Sequence, residues 1–292
     1  MRVVSLLPSA TEIVCALGMS DALVAVTHEC DYPPEALAKP HITRSLLKPN
    51  MRSGEIDAEV RTQLTADAHS LYSIDRGLLA ELAPDVILTQ QLCEVCAVAY
   101  DEVLEAVKSL PRRPEVLNLE PMSLGEVLAD VQRVGDAFGI GETARAVVAG
   151  LERRVERVRE TVARAETRPT VAFIEWIDPI FCGGHWNPEL VEIAGGHDPV
   201  GRLHQSSVRV AWEQVRESEP EVMVISCCGF DVERTREELP TLEALPGFAE
   251  LPCARNGRVH VVDGSAYFSR PGPRLVDSLE ILARLVHPEL YG

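Results

Sequence analysis

The sequence lacks the features that mark several large classes of protein. It has no excess of basic residues, because 28 lysine and arginine residues stand against 45 aspartate and glutamate residues, a formal net charge of −17. A chain this acidic is repelled by phosphate backbones, so we expect no nucleic-acid partner. No run of about 18 to 20 apolar residues is present either, and we expect no membrane span.

Targeting and catalytic motifs are also missing. No basic region, long apolar stretch or cleavage site precedes Pro8, so we expect a cytoplasmic protein, with a periplasmic or surface-anchored location only if the true start lies upstream. The chain contains no nucleophile elbow, P-loop, Rossmann glycine triplet or kinase signature. We therefore expect a protein that is not an enzyme.

What is present is an alternation of strand and helix patterns in both halves of the chain. This order favours an α/β fold with mainly parallel sheets. Between the halves, an amphipathic pattern runs from Ser123 to about Glu166 and predicts one long rigid helix. We predict an N-terminal α/β lobe at 1–121, a linking helix at 122–167 and a C-terminal α/β lobe at 168–292, with a ligand cleft between the lobes.

Short motifs spread over nearly the whole chain carry a family resemblance. They are RVVSLLPSATE at 2–12, DYPP at 31–34, LAPDVI at 82–87, GG at 195–196, WE at 212–213, PEV at 220–222 and YFSRPGPR at 267–274. Together they resemble the cobalamin and iron-siderophore binding proteins of ABC importers, and the cobalamin-binding members most closely. The resemblance implies two α/β lobes joined by a helix, a small-molecule ligand and an ABC permease as partner. We expect a monomer.

Two polar loops predict a metal site. His28 and Cys30 follow one predicted strand, and Cys93 and Cys96 follow another. Because ligands of open α/β sheets bind beyond the carboxyl ends of the strands, we expect these four side chains to lie close together. One imidazole and three thiols suit zinc, copper(I), an iron–sulfur cluster or cobalt. Two other interpretations stay open: thiols that only line an apolar crevice, and thiol redox chemistry with Cys96 activated at a helix start.

The second half contains the candidate ligand-binding residues. They are Trp176, His185, Trp186, Cys227, Tyr267, Phe268 and Arg270. Two indoles and an imidazole suit a flat macrocycle, and the glycines before His185 permit a close backbone approach. The family resemblance implies that an aromatic side chain at Tyr267 or Phe268 contacts the ligand. Arg270 either binds a ligand carboxylate or amide or fixes the last helix, and for the other side chains a packing role is the alternative.

These observations lead to one main prediction and one alternative. The main prediction is non-catalytic binding of cobalamin or a related corrinoid or metal chelate, by a transport binding protein or a cytosolic carrier. The ligand is then the corrinoid itself, with a bound transition metal as a further option. The alternative is a cytosolic metal-binding or thiol-redox protein that uses His28, Cys30, Cys93 and Cys96.

Overall fold

The computed structural model describes residues 1–48, 50–65, 71–91 and 100–291, without the side chains of 63–65. The chain divides into two compact units. Unit 1 consists of Met1–Met51, Glu55–Glu120 and Ala129–Val148. Unit 2 consists of Arg52–Gly54, Pro121–Leu128 and Ala149–Gly292.

Unit 1 is built on a parallel sheet. Up to residue 120, the described strands and helices are β1 (Val3–Ser5), α1 (Pro8–Ala16), β2 (Leu23–Val26), β3 (Thr43–Ser45), α2 (Ser53–Thr65), β4 (Tyr72–Ile74), α3 (Arg76–Leu82), β5 (Val86–Thr89), α4 (Tyr100–Lys108) and β6 (Glu115–Asn118). The first two residues of α2 belong to unit 2. The sheet has the order β2-β1-β5-β6, and β3 and β4 pair separately as an antiparallel ribbon.

The strand sequences of unit 1 reflect burial on both faces of its sheet. All four residues of β5 are buried, as its continuous apolar sequence predicts for a central parallel strand. Successive residues of β1 point to opposite faces, so Val3 packs in one core cluster and Val4 in the other. This sheet therefore holds the loops that follow its strands on a rigid base.

The segment predicted as one long helix forms two helices, α5 (Leu124–Ala137) and α6 (Gly141–Val162). The break lies at Gly139, whose φ of 73° is in the left-handed region that ends helices. At the start of α5, the Ser123 hydroxyl accepts the backbone N–H of Glu126 at 3.2 Å. Both units include parts of α5 and α6.

Unit 2 contains a second sheet with one antiparallel strand. Beyond α6, its described elements are β7 (Val171–Trp176), β8 (Phe181–Cys182), α7 (Asn187–Ile193), α8 (Trp212–Glu217), β9 (Val222–Ile225), α9 (Val232–Glu243), α10 (Pro252–Arg255), β10 (Val259–Val261) and α11 (Leu275–Val286). The sheet order is β10-β9-β7-β8, in which β8 runs antiparallel to β7. A π-helical turn at Gly264–Phe268 precedes α11.

The architecture confirms the predicted fold class, two α/β units with parallel-sheet cores. An ion-pair network adds to the packing of unit 2, where Arg154 of α6 pairs with Asp277 and Glu280 of α11. Within the described ranges, no helix is both long enough and apolar enough to cross a bilayer.

Candidate functional site

In unit 1, the loop after β2 begins with a hydrogen-bonded histidine. The Nδ1 atom of His28 lies 2.7 Å from the Thr43 hydroxyl, and its Nε2 atom lies 3.1 Å from the Glu29 carboxylate. The imidazole ring is 5.3 Å from the Tyr72 ring. Farther along this loop, the Tyr32 side chain is 43% exposed and therefore accessible to a bound molecule. Tyr32 is thus a candidate contact that the residue types alone did not single out.

Cys30 faces a different neighbour from His28. Its thiol is buried in the core cluster next to α1, with the sulfur 3.1 Å from the Thr11 hydroxyl. Cys93 and Cys96 lie outside the described residues. Among the residues that are described, no group of three or more His, Cys, Asp or Glu side chains is arranged to hold a metal ion. The predicted metal site is therefore not supported.

In unit 2, Trp176 ends β7 and is partly exposed. Its indole N–H donates to the backbone carbonyls of Ser53, at 3.2 Å, and Asp178, at 3.0 Å. Its ring packs 4.9 Å from the ring of Phe230. The Ser53 hydroxyl in turn donates to the buried carboxylate of Glu238 at 2.8 Å. The orientation of the indole is therefore fixed from both sides.

The glycine loop, residues 183–187, follows β8. Because β8 runs antiparallel to β7, this loop passes alongside β7 rather than beyond its carboxyl end, and the Gly183 N–H donates to the Phe173 carbonyl at 2.8 Å. A Cβ atom at Gly184 would collide with the backbone of Ser207, so this position requires glycine. The loop is thus packed tightly against residues 202–207.

His185 and Trp186 occupy this loop with different environments. His185 has a φ of 53°, and burial lowers its pKa, which keeps the imidazole neutral at physiological pH. Its buried Nε2 atom has no hydrogen-bond partner among the described residues. Trp186 is buried, and its indole N–H donates to the Phe268 carbonyl at 2.9 Å. This bond ties the loop to the turn at Gly264–Phe268.

The remaining candidates lie around that turn. Phe268 is buried against Phe173, with ring centroids 5.5 Å apart, and Cys227 is a buried thiol whose pKa is raised to about 12 by burial. Arg270 is also buried and donates to the Ser265 hydroxyl at 3.4 Å. Tyr267 is partly exposed and lies under the Arg274 guanidinium. Tyr267 and Trp176 therefore offer more accessible aromatic surface than Trp186 or Phe268.

Two acidic residues beside the glycine loop were not predicted. Burial raises the pKa of Glu175 to about 7 and that of Asp198 to about 6. One oxygen of Asp198 accepts the N–H groups of Val200 and Gly201. The sequence signal was available, because Glu175 interrupts an otherwise apolar strand on the same face as Phe173.

The parallel strands β7, β9 and β10 end at the same edge of the unit 2 sheet. Trp176 is the last residue of β7, and Tyr267 lies in the turn that follows β10. The Cys227 thiol, which follows β9, is buried, and burial disfavours its thiolate form. The arrangement can present aromatic faces and hydrogen bonds to a bound molecule.

Comparison with known proteins places this geometry in a family. The family model described as "Periplasmic binding protein" matches residues 3–266. The chain belongs to the periplasmic binding protein family. Its relatives include the vitamin B12-binding protein of Vibrio cholerae, 24% identical over 96% of this chain and 86% of the relative. An uncharacterized ABC transporter substrate-binding lipoprotein of Bacillus subtilis, YvrC, is 22% identical over 99% of this chain and 81% of its own.

A solved structure agrees in fold. The periplasmic heme-binding protein RhuT from Roseiflexus sp. RS-1, in apo form, has a TM-score of 0.73 and 20% identity, covering 99% of this chain and 98% of its own. The relatives are substrate-binding proteins, which confirms the expectation that this chain is not an enzyme. The expected cytoplasmic location is wrong, because these relatives are described as a lipoprotein and a periplasmic protein. The alternative of a metal-binding or thiol-redox protein is not favoured.

Proposed function

We propose that this chain is the substrate-binding protein of an ABC importer and that its ligand is cobalamin or a related corrinoid or metal chelate. The observation that carries the proposal is the similarity to the vitamin B12-binding protein of Vibrio cholerae along nearly the whole chain. A membrane permease of the ABC class is then the partner. No chemical step is required of the binding protein.

The residues of unit 2 support a flat ligand. Trp176, at the end of β7, and Tyr267, in the turn after β10, present partly exposed rings at the sheet edge where ligands of open α/β sheets bind. We propose these two side chains as ligand contacts that stack on a macrocycle. In unit 1, His28 and the exposed Tyr32 follow β2 at the corresponding edge and are the proposed contacts there.

A spectral titration tests the proposal directly. We expect aquocobalamin to give a saturable change in visible absorbance at about one equivalent. Haemin is titrated in parallel, because a structural neighbour is a heme-binding protein. Saturable binding of haemin without binding of aquocobalamin would refute a corrinoid ligand, and binding of neither would refute a macrocyclic ligand.

The variant Tyr267→Leu tests the contact. It removes the aromatic face and keeps an apolar side chain, so affinity should fall about two- to tenfold, as expected from ~0.5–1.5 kcal/mol per aromatic contact. Tyr291→Leu is the matched control, since Tyr291 is also a partly exposed tyrosine of unit 2 but lies after α11. Equal weakening by both variants would contradict the role of Tyr267.

A further inference from the structure

The segment between β9 and α9 places a second aromatic ring and a cation beside Trp176. The Phe230 ring is buried, and its centroid lies 4.9 Å from that of the Trp176 ring. The guanidinium carbon of Arg234, in the first turn of α9, lies 3.7 Å from the centroid of the same Phe230 ring. Trp176 and Arg234 therefore both pack on Phe230, and the Arg234 side chain remains partly exposed.

The turn that carries Tyr267 is attached to the same segment. The Ser265 N–H donates to the Phe230 carbonyl at 3.0 Å, which holds the turn at Gly264–Phe268 against the segment after β9. Within this turn, the Tyr267 ring lies under Arg274, whose guanidinium carbon is 5.4 Å from the ring centroid. Both proposed ring contacts of unit 2 thus have an arginine close by, one directly and one through Phe230.

Two acidic side chains near these arginines cap backbone N–H groups. Asp231 accepts the Arg234 backbone N–H at 2.8 Å at the start of α9, and Asp263 accepts the Ala266 N–H at 2.7 Å at the start of the turn. A cation in the first turn of a helix is repelled by the positive end of the helix dipole, so the Arg234 guanidinium gains nothing from α9 itself. An anion bound beside Arg234 would relieve this repulsion.

The chemistry of a guanidinium group suits it to distinguish acids from amides. A guanidinium that lies over an aromatic ring hydrogen-bonds through the N–H groups in its own plane. It has five such donors, so it can hold more than one acceptor at a time. A carboxylate matches this planar arrangement with two oxygens, and such charge-assisted bonds are about twice as strong as neutral ones. A carboxamide offers one uncharged oxygen and gains much less.

We propose that Arg234, supported by Arg274, is a specificity-determining residue that selects macrocycles with carboxylate groups at their rim over macrocycles whose rim groups are amides. The ring of the ligand stacks on Trp176 and Tyr267, and a carboxylate at its rim pairs with the guanidinium group. This selection rests on the proposed function, because it concerns the same ligand class at the same sheet edge. It narrows that class to its acidic members.

Two corrinoids with the same ring and the same axial ligands test the selection. Dicyanocobyrinic acid carries carboxylates where dicyanocobinamide carries amides, and visible-absorbance titration measures the affinity of both. The unmodified protein should bind the acid more tightly. Arg234→Met keeps a long side chain over Phe230, so it should weaken binding of the acid about five- to twentyfold and binding of dicyanocobinamide less than about twofold.

Arg236→Met is the matched control. Arg236 is exposed on the same helix, so this variant removes the same positive charge from α9 without touching the Phe230 ring. Its affinity for each corrinoid should stay within about twofold of that of the unmodified protein. The proposal is overturned if Arg236→Met weakens binding of the acid as much as Arg234→Met does. It is also overturned if Arg234→Met weakens both corrinoids equally, or if the unmodified protein prefers dicyanocobinamide.

Arg234→Lys keeps the proposal testable if Arg234→Met does not fold. Lysine retains the charge but lacks the planar set of donors, so the preference for the acid should fall about two- to fivefold. An unchanged preference would overturn the role of Arg234. If haemin binds and the corrinoids do not, haemin and its dimethyl ester replace them as the pair that differs in carboxylates. If no macrocycle binds, the proposed function fails and the selection with it, whereas equal binding of acid and amide overturns only the selection.

Discussion

Replacement of Glu175 by glutamine should change how the stability of unit 2 depends on pH. Burial raises the pKa of Glu175 from 4.5 to about 7. The folded state therefore binds this proton more tightly than the unfolded state. The stability that it contributes is complete below about pH 4.5 and is lost as pH rises through about 7. Between pH 5 and 8, the loss from this one residue is on the order of 2 kcal/mol.

Urea unfolding followed by tryptophan fluorescence measures this loss of stability in unit 2. All three tryptophans of the chain, Trp176, Trp186 and Trp212, belong to unit 2. The unmodified protein should lose on the order of 2 kcal/mol more than Glu175→Gln between pH 5 and 8. Asp198 remains in both proteins, so its own ionisation largely cancels in the difference. Parallel pH profiles of the two proteins would refute the reasoning, and so would a steeper loss in Glu175→Gln.

Two further predictions concern contacts in unit 2. Ser53→Ala removes a hydroxyl donor from the buried Glu238 carboxylate. The free energy of unfolding should therefore fall by about 1.5–3 kcal/mol in the same urea assay. A change below about 0.5 kcal/mol would contradict this expectation. Gly184→Ala forces a Cβ atom into the Ser207 backbone and should destabilise unit 2. Gly150→Ala, in α6 with ordinary contact distances, should stabilise unit 2 by about 0.5–1 kcal/mol. If both variants change the free energy of unfolding in the same direction, the predicted clash at Gly184 is wrong.

The fold was predictable where burial alone sets the pattern. β5 is apolar at every position but Thr89, and a continuous apolar sequence of this kind is typical of a strand that is buried on both faces. The linking helix was overestimated because amphipathic periodicity continues on both sides of Gly139, while a single backbone conformation ends α5 there. Periodicity carries no information about one left-handed residue. The same limit explains why β8 was missed, since a two-residue strand has no period.

The candidate site was harder to predict because the spacing of residues along the chain does not show in which direction each side chain points. His28 and Cys30 are two residues apart, yet the imidazole contacts Thr43 and the thiol contacts Thr11. Similarly, Trp186 was a reasonable candidate contact by residue type, but its indole N–H is bound to a buried carbonyl. Residue type predicts which side chains are capable of binding, and tertiary packing decides which of them remain accessible.

The indole N–H groups also restrict what unit 2 is able to recognise. The N–H of Trp176 donates to two backbone carbonyls, that of Trp186 to Phe268 and that of Trp212 to Pro246, at 2.7 Å in the last case. A ligand that accepts a hydrogen bond from one of these indole N–H groups would have to displace a backbone carbonyl. Leaving a buried carbonyl without its donor costs about 1–3 kcal/mol. Trp176 is therefore suited to contact a ligand through its ring face. Face contact favours a broad, flat molecule, as expected for the proposed ligand.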